Sequence, residues 1–177
     1  MAVPVTLVDA RRQLKLEADD TSQDDELTGF IADAAGWVEN YTGHILAARD
    51  VTVQLPSFAS KLPVWPIKSG AAVSVSYGRI GAAPTVITGA NVAVGSRPAR
   101  LAIPTALSAW PLLSSSDVIT VTVRAGYEAG DDVPANFRRA MLVLIGGYDA
   151  DREGGDTFAK AEASARRLLA FYRARSL

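Results

Sequence analysis

The hydrophobic period of this 177-residue chain changes twice, from helical to two-residue and back to helical. A helix buries one stripe recurring every three or four residues, whereas a strand buries alternate residues, so the order of the two periods limits the architecture. The expected fold class is α+β: a four-helix body formed by the N- and C-terminal helices, with an inserted antiparallel β module, a small barrel or a sandwich. The expected division is 1–48 and 126–177 for the helical body and 49–125 for the insert.

Thr6 followed by Asp9 reads as a capping box with Asp in place of Glu, opening a short helix from about Leu7 to Leu16. The acidic run Asp19, Asp20, Asp24, Asp25 and Glu26 lacks the central Gly and terminal Glu of a calcium loop and suits a helix N-terminus instead. Leu27, Phe30, Ile31, Ala34, Val38 and Tyr41 then make one apolar stripe, and Gly43 stands where a left-handed cap would end the helix. His44 follows directly, and an imidazole there is expected to interact with the exposed carbonyls.

From Asp50 to Arg124 the candidate strands are Val51–Leu55, Val73–Tyr77, Thr85–Thr88, Asn91–Val94, Arg100–Ile103 and Val118–Arg124. Frequent prolines favour short antiparallel strands, and Trp65-Pro66 with Trp110-Pro111 are expected to cover the ends of the module. Pro134 opens a further helix with the stripe Phe137, Ala140, Met141, Leu144, Ile145 and Tyr148, predicted to be the buried centre of the body. Gly146-Gly147 either weakens its last turn or permits close packing. A final helix from about Asp156 carries Phe158, Ala161, Ala165, Leu168, Leu169 and Tyr172 on one face.

Chemistry is poorly provided for. There are no cysteines and one histidine, so disulfides, thiolate metal sites and cysteine nucleophiles are excluded, and no cofactor is expected. Gly78-Arg79-Ile80-Gly81 lacks the Gly-Lys-Ser/Thr of a phosphate loop, and Ser114-Ser115-Ser116-Asp117 has no histidine partner. The insert has no acid between Asp50 and Asp117, which argues against paired catalytic carboxylates. An enzyme is not expected. No apolar run of about 18 residues occurs, so a soluble, unprocessed chain without membrane contact is expected.

Charge is divided unevenly. Residues 1–48 hold three Lys or Arg against nine Asp or Glu, residues 49–125 seven against two, residues 126–155 three against six and residues 156–177 five against two. The basic insert either meets neighbouring subunits or a DNA passage, or simply carries scattered cations on an exposed sheet. The arginines near the C-terminus suit the helix dipole and also leave room for bidentate contacts to a partner.

Several segments resemble one known family in order. Val5-Thr6-Leu7 through Arg11-Arg12-Gln13-Leu14, Asp24-Asp25-Glu26-Leu27 and Trp37-Val38-Glu39-Asn40-Tyr41-Thr42-Gly43 resemble the N-terminal half of the head-tail connector, or head-completion adaptor, proteins of tailed bacteriophages and gene transfer agents. Ile119-Thr120-Val121-Thr122-Val123, then Ala125-Gly126-Tyr127 and Val133-Pro134-Ala135, resemble the second half. His44 departs from the arginine that often follows Thr-Gly in that family, and Gly146-Gly147-Tyr148 stands where relatives are often aromatic-rich.

The resemblance implies a structural virion protein of the neck, assembled in the host cytoplasm as a ring of about twelve copies on the portal protein. Such a ring extends the channel for double-stranded DNA, without sequence specificity, and offers the attachment site for a downstream neck or tail completion protein. The portal-docking candidates are Arg166, Arg167, Phe171, Tyr172, Arg173, Arg175 and Leu177, and the channel or subunit-contact candidates are Arg79, Arg97, Arg100 and Arg124. The alternative from another class is a nucleic-acid-binding small-barrel module, which would bind in a salt-sensitive way.

Overall fold

The computed structural model describes residues 4–17, 19–95 and 97–173. They divide into two compact units, one holding the chain up to Ala47 together with Tyr127–Arg173, the other Ala48–Gly126.

The first unit is helical. Its α1 spans Leu7–Leu14, α2 Asp24–Thr42, α3 Ala135–Ala150 and α4 Asp156–Leu169, with 3-10 turns at Gly130–Asp132 and Ala170–Tyr172. The capping box forms as expected: the Thr6 N–H donates to Asp9 Oδ2 at 2.9 Å, and the Asp9 N–H donates to Thr6 Oγ1 at 3.3 Å. Lys15 ends α1 in the left-handed conformation, φ 57°, and the Leu16 N–H returns to the Arg11 carbonyl at 3.0 Å. That bond lets Leu16 fold back onto the core rather than extend the helix. Gly43, φ 70°, ends α2 with its N–H on the Glu39 carbonyl, as its position predicts.

The core of this unit is built on α3, whose Phe137, Ala140, Met141, Leu144 and Ile145 are all inaccessible to solvent. Leu27, Ile31, Ala34 and Val38 of α2 and Ala165 and Leu169 of α4 belong to the same cluster. Phe30 stacks on Tyr148 at 5.7 Å between ring centroids, and Tyr148 stacks on Phe158 at 4.9 Å, which links α2, α3 and α4 in turn. Gly147 decides how near α4 can come, because a Cβ placed there would lie 2.7 Å from the Ala161 Cβ. At Gly146 the nearest atom is the end of Gln13, 3.8 Å away.

Ion pairs then fasten the ends of these helices. Arg11 is bidentate on Asp24, joining α1 to the start of α2, Arg138 of α3 meets Asp9, and Arg152 meets Glu26. Asp151, just past α3, turns its carboxylate onto the Thr157 and Phe158 N–H groups at 3.2 and 3.4 Å and so caps α4. The helix α3 continues past Gly146-Gly147 through Asp149 and Ala150. No helix among the described residues is long and apolar enough to cross a membrane.

The second unit contains six strands: β1 Arg49–Leu55, β2 Val73–Arg79, β3 Thr85–Ile87, β4 Asn91–Ala93, β5 Arg100–Ala102 and β6 Asp117–Ala125. They form an antiparallel sheet in the order β1-β6-β2-β3 and a separate β4-β5 ribbon. The three alternating runs and the three shorter candidates of the sequence match these six strands to within two residues at each end. The ladder does not close, so the small barrel is not formed: β3 is cut to three residues between Pro84 and Thr88, and among the described residues it does not reach β1.

The register sets the two faces of the sheet. Ile119, Val121 and Val123 of β6 sit opposite Leu55, Val53 and Val51 of β1 and opposite Tyr77, Val75 and Val73 of β2. Thr52, Gln54, Thr120, Thr122, Ser74 and Ser76 take the other face, where Thr52 Oγ1 and Thr122 Oγ1 share a hydrogen bond of 2.8 Å. The buried side is completed by an irregular segment, since Phe58, Leu62, Val64 and Ile67 between β1 and β2 are as buried as the strands. Phe58 meets Tyr77 edge-on and stacks on Trp110 at 4.6 Å with 7° between the planes. Trp110 thus covers the core as expected, and its face is occupied by Phe58.

Gly147→Ala is expected to lower the unfolding free energy by about 1–3 kcal/mol, because the packing conflict with Ala161 outweighs the better helix propensity of alanine. Gly146→Ala, with ordinary spacing around it, should be neutral or stabilise by up to about 1 kcal/mol. Denaturant titration of the two variants beside the parent chain checks both.

Candidate interaction surfaces

Among the described residues no group of three or more His, Asp or Glu is placed to hold a metal ion. On the helical unit the C-terminal arginines engage α2. Trp37 and Tyr41 stack on each other at 5.2 Å, and the Trp37 Nε1–H donates to Glu162 Oε1 at 3.1 Å. Arg166 donates to the same Glu162 oxygen at 2.8 Å and lies over both rings, 5.9 Å from Trp37 and 5.8 Å from Tyr41. Arg173 lies 5.4 Å over Tyr41. A guanidinium above an aromatic face is held by the ring quadrupole, so Arg166 and Arg173 help fix the end of α4 to α2. The Arg166 and Trp37 hydrogen bonds hold the Glu162 carboxyl below the usual glutamate value, against the opposing effect of burial.

The other docking candidates are dispersed. Arg167 is exposed, and Phe171 is 96% exposed, an unusual position for a large ring. Tyr172 turns inward: its ring meets Phe137 at 4.6 Å and His44 at 5.9 Å, both edge-on. The α-helix ends at Leu169 and the following 3-10 turn changes the rotation per residue, which swings Tyr172 to the core and Phe171 to solvent. Tyr172 is therefore half-buried packing and presents little surface for docking. Arg175 and Leu177 lie outside the described residues.

His44 also departs from the sequence expectation. It is 3% exposed, its Nδ1 lies 3.0 Å from the Tyr127 hydroxyl, and its ring packs against Phe137 at 4.8 Å. The imidazole, expected beside exposed carbonyls at the helix end, is enclosed in an aromatic cluster of Tyr127, Phe137 and Tyr172. The sequence carried one signal of this, the apolar run Ile45-Leu46-Ala47 that follows, all three of which are buried.

The four basic candidates of the β unit do not form one patch. Arg79 ends β2 opposite Asp117, and Arg124 is near the far end of β6 opposite Asp50. Seven residues of strand separate those two levels, about 24 Å at roughly 3.4 Å per residue. Arg79 donates to Ser116 Oγ at 3.3 Å. Arg97 is half-buried just before β5. Arg100 begins β5 and donates from Nη1 to the Ala59 carbonyl at 2.7 Å.

Arg100 does border a cavity that sequence reasoning missed. A groove of about 530 Å³ at the end of β1 is lined by Leu55, Pro56, Pro63, Ser60, Lys61 and Arg100, among others. Lys61 faces Arg100 across an isolated antiparallel bridge, supported by the Leu62 N–H on the Ala99 carbonyl at 2.8 Å. Chain pairing between an irregular segment and a distant strand leaves no periodic trace, which is why only the structure shows it.

Acid should weaken the helical unit in a defined window. Burial tends to raise Asp9, but the Thr6 hydrogen bonds and Arg138 outweigh it and hold the carboxyl below its ordinary value of 3.8. Glu162 is held below 4.5. Groups depressed in the folded state bind fewer protons there than in the unfolded chain, so their stabilisation is complete above those values and lost as pH falls through the lower folded ones. Thermal unfolding midpoints should be nearly flat from about pH 6 to 5 and fall below about pH 4, less steeply in Asp9→Asn.

No protein-family model matches the chain, and no curated protein matches it in sequence. Solved structures do match in fold over the whole length. A chain in the "Neck of empty GTA particle computed with C6 symmetry" superposes with a TM-score of 0.76 at 19% identity, covering 100% of this chain and 95% of that one. A chain of the "Virion of native gene transfer agent (GTA) particle" gives 0.75 at 19% identity with the same coverage, and one in the "Neck of native GTA particle computed with C12 symmetry" gives 0.69 at 19%, covering 100% and 97%. The chain has the fold of these proteins of gene transfer agent particles, from its first helix to its last.

Proposed function

We propose that this protein is a structural component of the neck of a tailed particle, a head-tail connector that assembles as a ring on the portal. The observation that carries the reading is the fold shared along the full chain with proteins of gene transfer agent necks, two of them from reconstructions with sixfold or twelvefold symmetry. The residue-level resemblance to connector proteins, which rests on the helix caps and on the Ala125-Gly126-Tyr127 junction, agrees with it independently. In this reading the role is architectural rather than catalytic. The helical part, residues 1–48 and 126–177, is the connector body, and residues 49–125 are the inserted module.

A ring of about twelve copies would extend the portal channel for passing DNA and give the next neck or tail protein its seat. The exposed Phe171 and Arg167 support docking on the portal by the end of the chain. An exposed phenylalanine supplies apolar area and the arginine a planar donor fork, the two features enriched at protein interfaces.

Mixing the protein with its cognate portal and imaging the complex by electron microscopy should show a ring coaxial with the portal. Particles carrying no added density overturn the reading. Removing Phe171 to Leu177 should weaken portal binding at least tenfold, and unchanged binding with normal joining of heads and tails refutes docking through this end.

A further inference from the structure

The groove at the end of β1 has the properties of a carboxylate site. Lys61 and Arg100 stand directly opposite each other across an antiparallel bridge, an arrangement in which like charges repel. Among the described residues neither belongs to an ion pair. Arg100 is held at the groove by its bond to the Ala59 carbonyl, which uses one of five guanidinium donors and leaves the others available. Asp117, at the same end of the sheet, accepts from the Ser114 N–H at 2.8 Å and stands opposite Arg79 in the register. Leu55, Pro56 and Pro63 give the walls apolar area beside the polar Gln54, Ser57 and Ser60, so the groove suits a short peptide carrying acids better than a bare ion.

The helical unit of the same chain carries the complementary surface. Asp24 and Glu26 are taken up by Arg11 and Arg152, whereas Glu17, Asp19, Asp20 and Asp25 are exposed and form no ion pair among the described residues. Asp20 is oriented by the Ser22 N–H, which it accepts at 2.9 Å.

We propose that, in the ring, the Lys61–Arg100 groove of each protomer receives the acidic turn bearing Asp19 and Asp20 of a second copy. The inference rests on the ring reading above and supplies its subunit contact. A head-to-tail contact of this kind uses two different patches, and in a closed cyclic array each copy employs both once. Double-stranded DNA fits the groove less well. Phosphate binding gains strength from several cations along a track, and here two cations stand alone in the groove while Arg79 and Arg124 are at opposite ends of the sheet.

Charge exchange on the full-length protein mixed with portal tests this, with ring occupancy counted by electron microscopy. Lys61→Glu/Arg100→Glu should lower occupancy roughly tenfold, as should Asp19→Lys/Asp20→Lys, because each leaves like charges facing across the contact. The chain carrying all four changes should recover rings. Circular dichroism melts confirm that each variant is folded, and the neutral pair Lys61→Gln/Arg100→Gln should show a smaller loss. Wild-type rings with unaffected reversal variants, or folded four-change protein that fails to recover, overturn the groove assignment while leaving the ring reading intact. Normal rings from the Lys61/Arg100 reversal together with lost salt-sensitive DNA retention make the groove a phosphate site and also overturn it. Absence of rings from the wild-type protein overturns both.

Discussion

The pairing of β1 with β6 is the constraint on which the two-unit arrangement depends. The helical core is discontinuous in sequence, since α2 ends at Thr42 and α3 begins at Ala135. Arg49 stands opposite Ala125 and the register continues to Leu55 opposite Ile119, so the chain leaves the helices and returns to them at one end of a single antiparallel pair. With that pair formed, the loop separating α2 from α3 shrinks from about ninety residues to fewer than twenty, which lowers its closure cost by about 1–2 kcal/mol. The strands adjoining the junction, seven and nine residues long, are among the longest of the β unit, while the strands remote from it are three residues each.

Such an arrangement explains which features the sequence disclosed. Caps and periods are local: Thr6 with Asp9, Gly43, and the stripe of α3 each act within a few residues, and each is formed as read. The alternating runs locate β1, β2 and β6, because a long strand buries one face whatever its neighbour is. Partner choice is another matter. Nothing in the period of β3 distinguishes a closed barrel from an open sheet; its length does, and that is set by Pro84 and by Gly89 in the left-handed region at φ 74°. The burial of Phe58, Leu62, Val64 and Ile67 had no periodic signal because an irregular segment places its side chains by turns rather than by repeat.

The surface candidates were harder to read for the same physical reason. Arginines accumulating at the end of α4 looked like one docking group, yet Arg166 and Arg173 lie over the rings of Trp37 and Tyr41, about 125 residues earlier in the chain. Guanidinium groups suit helix C-termini, aromatic faces and partner carboxylates equally, so composition alone cannot divide them among these roles. His44 shows the converse. Its position after Gly43 suggests a solvated cap, whereas the aromatic rings of Tyr127, Phe137 and Tyr172 enclose it.

Charge in this chain thus has two different uses, and their separation bears on assembly. In the helical unit Arg11, Arg138 and Arg152 each neutralise an acid at another helix, so these charges are satisfied within the chain. Glu17, Asp19, Asp20 and Asp25, which lie in and beside the turn before α2, form no ion pair among the described residues, and two opposed cations border a groove in the β unit. Exposed pairs add little to the stability of a single chain, because solvent screens them and ordering their side chains costs entropy. If the proposed ring forms, the same weak contacts repeated around it would act together and set which faces meet. In the proposed ring, the Lys61–Arg100 groove and the Asp19–Asp20 turn, which stand on different units of the chain, would favour a head-to-tail order of copies over a face-to-face one.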